Sequence, residues 1–211
     1  MTSPHPIITF FRGGRDYRGR TLTQILSWTD EELEVHHDYV QTVFPLPERS
    51  GITFSAPIID REVFETFRND EQLRAELKRA WIRIMGFYGF KLQEDNGKHL
   101  KVTISPLFPK NSQNWLCRFD HNHLRITRVI RCLRVLGLEE EASVFHAAIK
   151  HVSEGIVGAT TIAFWDRAMF STLNNAPEEK RPGPEKGLRF LVEWEKRNNT
   201  SGLRERERQG I

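Results

Sequence analysis

Apolar side chains in this chain recur at intervals of three and four along most of its length, and at an interval of two in only one place. That pattern confines the fold to helices packed on helices, because a 3.6-residue repeat cannot lay its apolar side along one face of a strand. The first such segment, from about Arg20 to Trp28, gathers Leu22, Ile25 and Leu26. Thr29 with Glu32 makes a capping box, and Trp28 with Leu33 a hydrophobic staple, for a helix expected over Asp30 to Val43. Pro45 and Pro47 stop it, since proline has no N–H to continue the helical ladder.

Asp60 is placed to cap a helix to about Arg68 carrying Val63, Phe64 and Phe67. Asn69-Asp70 caps a longer one, to about Tyr88. Its Leu73, Leu77, Trp81, Ile84, Met85 and Tyr88 form a core-facing stripe, which leaves Arg74, Lys78 and Arg79 to solvent. The period-two stretch follows, with Phe90 and Leu92 before the turn residues Asp95-Asn96-Gly97, and Leu100, Val102 and Ile104 after them. It reads as a β-hairpin over 90–104 that must pack on the helices, since an isolated hairpin is marginal in water. Helices are then expected over Ser112–Phe119, Asp120–Leu136 (stopped by Gly137), Glu139–Val152 and Thr160–Thr172, the last with Ile162, Phe164, Trp165 and Phe170 in the core. The fold class is therefore all-α: a single multi-helix globular domain over 1–172 with a small β-hairpin insertion. A charged, flexible C-terminal tail over 173–211 follows, within which Leu188 to Arg197 can form a short helix.

Composition narrows the chemistry. No apolar run approaches the about 20 residues that a membrane-spanning helix needs. Met1 to Phe11 lacks the basic-then-apolar layout of a signal peptide, and two cysteines, Cys117 and Cys132, make no disulfide scaffold, so an intracellular protein is expected. His36-His37, His121, His123, His146 and His151 fall at spacings that do not bring three ligands to one tetrahedral centre, so no metal is expected. There is no Gly-x-Ser-x-Gly elbow and no phosphate-binding loop at Gly13-Gly14, so no catalytic residue is assigned, no cofactor is implied, and an enzyme is not expected.

Charge is uneven. Residues 1–70 hold 7 basic and 11 acidic side chains, and residues 71–150 hold 14 and 8, which puts an acidic part before a basic middle. Arg125, Arg128, Arg131 and Arg134 recur every three residues and spread around about half of one helix, with Leu124, Ile130 and Leu133 assigned to its buried side. They read as a solvated face pairing with Glu139, Glu140 or Glu141. The alternative is an anion or nucleic-acid patch joined by Lys180-Arg181, but no aromatic residue interleaves the arginines as base stacking would need, so nucleic acid is not the expected partner.

Several segments, in order, resemble the conserved domain of the opioid growth factor receptor family. They are Ile25-Leu26-Ser27-Trp28, Glu34 through Pro45, Ala56-Pro57, Met85-Gly86-Phe87-Tyr88-Gly89, Asn114-Trp115 with Arg118-Phe119, and His123 through Ile130. The resemblance runs from about Phe10 to His151, with Thr42 standing where animal members carry tryptophan. It implies a mostly helical domain that binds a short peptide, Met-enkephalin, as a signalling module. It also implies a cytoplasmic or nuclear location, peripheral to the nuclear envelope. Within the motifs, Trp28, Phe44, Phe87 and Trp115 read as core, and His37, Gln41, Tyr88, His123 and Thr127 as a polar pocket or an internal network.

Overall fold

A computed structural model describes residues 4–49, 55–95, 99–178 and 188–198. The fold is the expected all-α body with one hairpin. The N-terminal part holds four short helices: α1 (Pro6–Phe11), α2 (Leu22–Leu26), α3 (Asp30–Val35) and α4 (Tyr39–Val43). Helix α1 lies ahead of the segment whose period announced helices, and it buries Ile7, Ile8, Phe10 and Phe11. At α3 both halves of the capping box form, with Glu32 nitrogen to Thr29 Oγ1 at 3.1 Å and Thr29 nitrogen to Glu32 Oε2 at 2.7 Å. The single helix expected over Asp30 to Val43 is divided, because His36 is extended (φ −85°, ψ 113°) and ends α3 before α4 begins.

Helices α5 (Arg61–Asn69) and α6 (Glu71–Phe87) share Asp70, whose side chain caps α6 through the nitrogens of Gln72 and Leu73. The whole stripe expected on α6 is buried. Arg74 is not left to solvent, since its guanidinium reaches back to the Phe67 carbonyl at 2.9 Å and the Arg68 carbonyl, at the end of α5. Gly89 turns the chain out of α6 at φ +90°, where a Cβ would lie 2.8 Å from the Phe108 backbone, so only glycine fits. The hairpin pairs β1 (Phe90–Asp95) with β2 (His99–Ile104), Leu92 opposite Val102. The tip of the expected turn, Asn96-Gly97, lies outside the described residues.

The helix expected over Ser112–Phe119 is replaced by α7 (Phe108–Asn111), a 3₁₀ turn (Ser112–Asn114) and a non-helical run. Cys117 therefore sits exposed in a turn rather than in an apolar helix, while Cys132 is buried. Helices α8 (Asn122–Val135), α9 (Glu139–Ser153) and α10 (Ala159–Phe170) follow close to expectation and pack on one another. Gly137 (φ +88°) closes α8 in a Schellman motif, with Leu138 nitrogen on the Leu133 carbonyl at 2.8 Å. Of the four residues expected in the core of α10, Trp165 is fully buried, Ile162 and Phe164 are partly covered, and Phe170 is 70% exposed. The short C-terminal helix forms as α11 over 189–198. It packs on α5, burying Leu191, placing Phe190 and Trp194 against Phe64, and sandwiching the Arg68 guanidinium 4.2 Å from the Trp194 ring. No helix of the described residues is long and apolar enough to cross a membrane.

Candidate functional site

An α-helix leaves its last four carbonyls without intrahelical partners, and cations near that end also meet the negative pole of the helix dipole. This protein meets the need with arginines from other elements. Arg83 of α6 donates to the Trp28 carbonyl beyond α2 at 2.6 Å. Arg125 of α8 donates to the carbonyls of Leu33, Glu34 and His36, closing α3. Arg128 takes the Phe44 carbonyl after α4 at 3.1 Å, and Arg134 takes Ala168 and Ser171 at the end of α10 at 2.8 and 2.9 Å. Arg131, 1% exposed, donates to the Leu173 carbonyl at 2.6 Å and to Glu48 Oε1 at 2.7 Å.

These contacts correct the reading of the four arginines as a solvated face. Arg125 and Arg131 are buried and Arg128 and Arg134 half-buried, and their acceptors are mostly backbone carbonyls rather than Glu139, Glu140 or Glu141. Burial pulls Arg128 below the ordinary arginine range and Arg134 down to about 10. The buried side also differs from expectation: Ile130 and Leu133 are in the core, but Leu124 is 58% exposed. A nucleic-acid patch on this helix would need guanidinium groups free to meet phosphates, and these are engaged elsewhere. Lys180-Arg181 lie outside the described residues.

One face of α8 nevertheless opens on a cleft of about 390 Å³ between α4, residues 46–49 and a strap at Ala176-Pro177-Glu178. His37, Gln41, Thr127, Arg125, Arg128 and Arg131 all line it, so six of the nine residues singled out in the sequence meet in one concavity. Val40, Leu46 and Leu124 supply apolar wall, and four arginines face two glutamates, Glu48 and Glu178. His37 Nδ1 accepts from Arg125 Nη2 at 2.6 Å, and its ring meets His121 edge-on at 5.3 Å. Desolvation, then the Arg125 charge, hold His37 below the usual histidine range. The Gln41 amide, in the orientation that satisfies it, donates to the His37 and Asp38 carbonyls at 3.0 and 3.1 Å. Thr127 bonds back to the His123 carbonyl at 3.0 Å.

Tyr88, His123 and Arg134 are not in the cleft. Tyr88 is 1% exposed, and burial raises its phenol well above the ordinary value. His123 belongs to the internal network that the sequence left as the other reading. Its Nε2 donates to the Trp115 carbonyl at 2.7 Å, its Nδ1 accepts from Asp120 nitrogen at 3.3 Å, and its own carbonyl accepts from Trp165 Nε1 at 3.1 Å. Leu46, Glu48, Arg49, Leu124 and the strap were not anticipated. Most lie in irregular segments that carry no period or motif. Among the described residues no three His, Cys, Asp or Glu side chains stand together as metal ligands would.

Residues 20–169 match the family described as opioid growth factor receptor (OGFr) conserved region. The chain belongs to that family. It is 37% identical over 139 residues to the opioid growth factor receptor of Homo sapiens, covering 64% of this chain and 20% of that protein. Opioid growth factor receptor-like protein 1 of Xenopus tropicalis is 33% identical over 109 residues, covering 52% of this chain and 20% of its own length. The chain thus spans about a fifth of the length of these relatives. No solved structure matches it. The OGFr region contains α4 and α8, whereas the strap, which completes the cleft, lies beyond it.

Proposed function

We propose that this OGFr-family chain is a non-catalytic peptide-binding module, and that the α4–α8 cleft receives a short peptide of the Met-enkephalin kind. The observation that carries the reading is the meeting of His37, Gln41, Thr127 and three α8 arginines in one concavity that also has apolar wall. Ligand sites are typically concave and largely apolar, with a few convergent polar groups, and this cleft has that make-up. The names of the relatives support a receptor role. An intracellular location, cytoplasmic or nuclear and peripheral to the nuclear envelope, belongs to the same proposal and agrees with two unpaired cysteines.

Calorimetry with Met-enkephalin on the full chain tests it. Saturable one-to-one binding is expected, with about 2.7 kcal/mol of added stability when peptide reaches a hundred times its Kd. Leu124→Glu places a charge on the exposed apolar lip and should weaken binding about tenfold, about 1.4 kcal/mol, without lowering Tm. No heat and no stabilisation at millimolar peptide would reject the reading.

A further inference from the structure

Arg131 and Glu48 form an ion pair that is only half made. An arginine and a carboxylate frequently meet through two parallel N–H···O bonds. Here Arg131 Nη2 reaches Glu48 Oε1 at 2.7 Å, while Arg131 Nε and Glu48 Oε2, both buried, have no hydrogen-bond partner among the described residues. Leaving a desolvated donor and a desolvated acceptor unmatched is unfavourable, so the pair is open to exchange for a better-fitting anion. The same Arg131 Nη2 also donates to the Leu173 carbonyl, and Leu173 is tied in turn through its backbone nitrogen to Glu195 of α11. The guanidinium therefore holds its place if Glu48 leaves. Glu48 itself is part-exposed and lines the cleft, so its side chain has solvent to turn into.

From this geometry we infer that the cleft recognises the free C-terminal carboxylate of its peptide, which replaces Glu48 on Arg131. Glu48 is the resident stand-in, and it is a carboxylate, which favours that class of anion over a phosphate. The neighbouring Val40, Leu46 and Leu124 then take the apolar side chain of the last residue. A volume of about 390 Å³ is at the small end of ligand pockets, which suits one end of a pentapeptide rather than all of it. This inference rests on the peptide-binding reading and deepens it.

The test titrates the full chain with Tyr-Gly-Gly-Phe-Met as the free acid and as the C-terminal amide, and with N-acetyl-Phe-Met in both forms. Each acid should bind at least tenfold more tightly than its amide. Glu48→Gln, checked for folding by circular dichroism, should raise affinity for the acids several-fold and leave the amides unchanged. Acid and amide binding equally would overturn the carboxylate inference while leaving the peptide reading standing. Binding of the N-acetyl-Phe-Met acid alone would support the inference while removing Met-enkephalin as the ligand. Failure of both acids to bind would overturn the two together.

Discussion

Helices α6 and α8 are built from similar residues and solve opposite problems. Helix α6 buries one stripe, Leu73, Leu77, Ala80, Trp81, Ile84, Met85 and Phe87, and keeps Arg79 in water beside Glu76. Helix α8 buries eleven of its fourteen residues, among them Asn122, His123, Arg125, Thr127 and Arg131. The first behaves as an amphipathic surface helix, with Arg79 paired in water and only Arg74 and Arg83, at its flanks, reaching loose backbone carbonyls. The second is surrounded, and its cations survive burial because loose backbone carbonyls from several other elements stand around it. Spacing distinguishes apolar from polar faces, but it does not say whether a polar face meets water or the frayed ends of other helices.

The sharpest way to break this contrast is to remove one surrounded cation. Arg125→Ala would strand the carbonyls of Leu33, Glu34 and His36 and should cost roughly 3 kcal/mol, read as a fall in the urea midpoint. Less is expected from acidity at His146, a buried group bonded to Asp166 at 2.9 Å. Burial lowers its pKa more than Asp166 restores it, so the folded state holds the ring neutral. That stabilisation is complete above about pH 6.5, the unfolded value, and is lost as pH falls through the lowered folded pKa. Tm should therefore drop as pH is taken from 7 to 5, and His146→Gln should flatten the slope.

Thr42 inverts the lesson of α8, since its hydroxyl is buried with no partner among the described residues. Thr42→Val should raise stability by about 1 kcal/mol, measured by the same denaturation. Arg79→Ala on α6 should change stability by less than about 0.5 kcal/mol, because an exposed pair contributes little. An Arg79 variant as damaging as Arg125→Ala would remove the distinction between the two helices.

The parts of the fold legible from sequence were those where local chemistry and packing agree. The capping box at Thr29, the Asp70 cap, the α6 stripe and the paired strands all follow from neighbours within a few residues. The break at His36 was not legible, because Arg125, 89 residues away, takes the carbonyls where the helix ends. The same distance explains the site. His37, Gln41 and Thr127 could be picked out by type and motif, but the separation of His123 from them depends on which side of α8 faces the cleft, and that of Tyr88 on the burial of the end of α6. The strap at Ala176-Pro177-Glu178 had neither period nor motif to mark it.

The arginine contacts also set an order of events during synthesis. Helices α2, α3 and α4 have five, six and five residues, well short of the about 12–15 at which an isolated helix becomes even marginal in water. Their terminal carbonyls wait for Arg83, Arg125 and Arg128, which leave the ribosome 55 to 92 residues later. A nascent chain of a hundred residues thus carries the sequence of these helices without the donors that finish α3 and α4. Helices α3 and α4 gain the donors that close them only when α8 arrives.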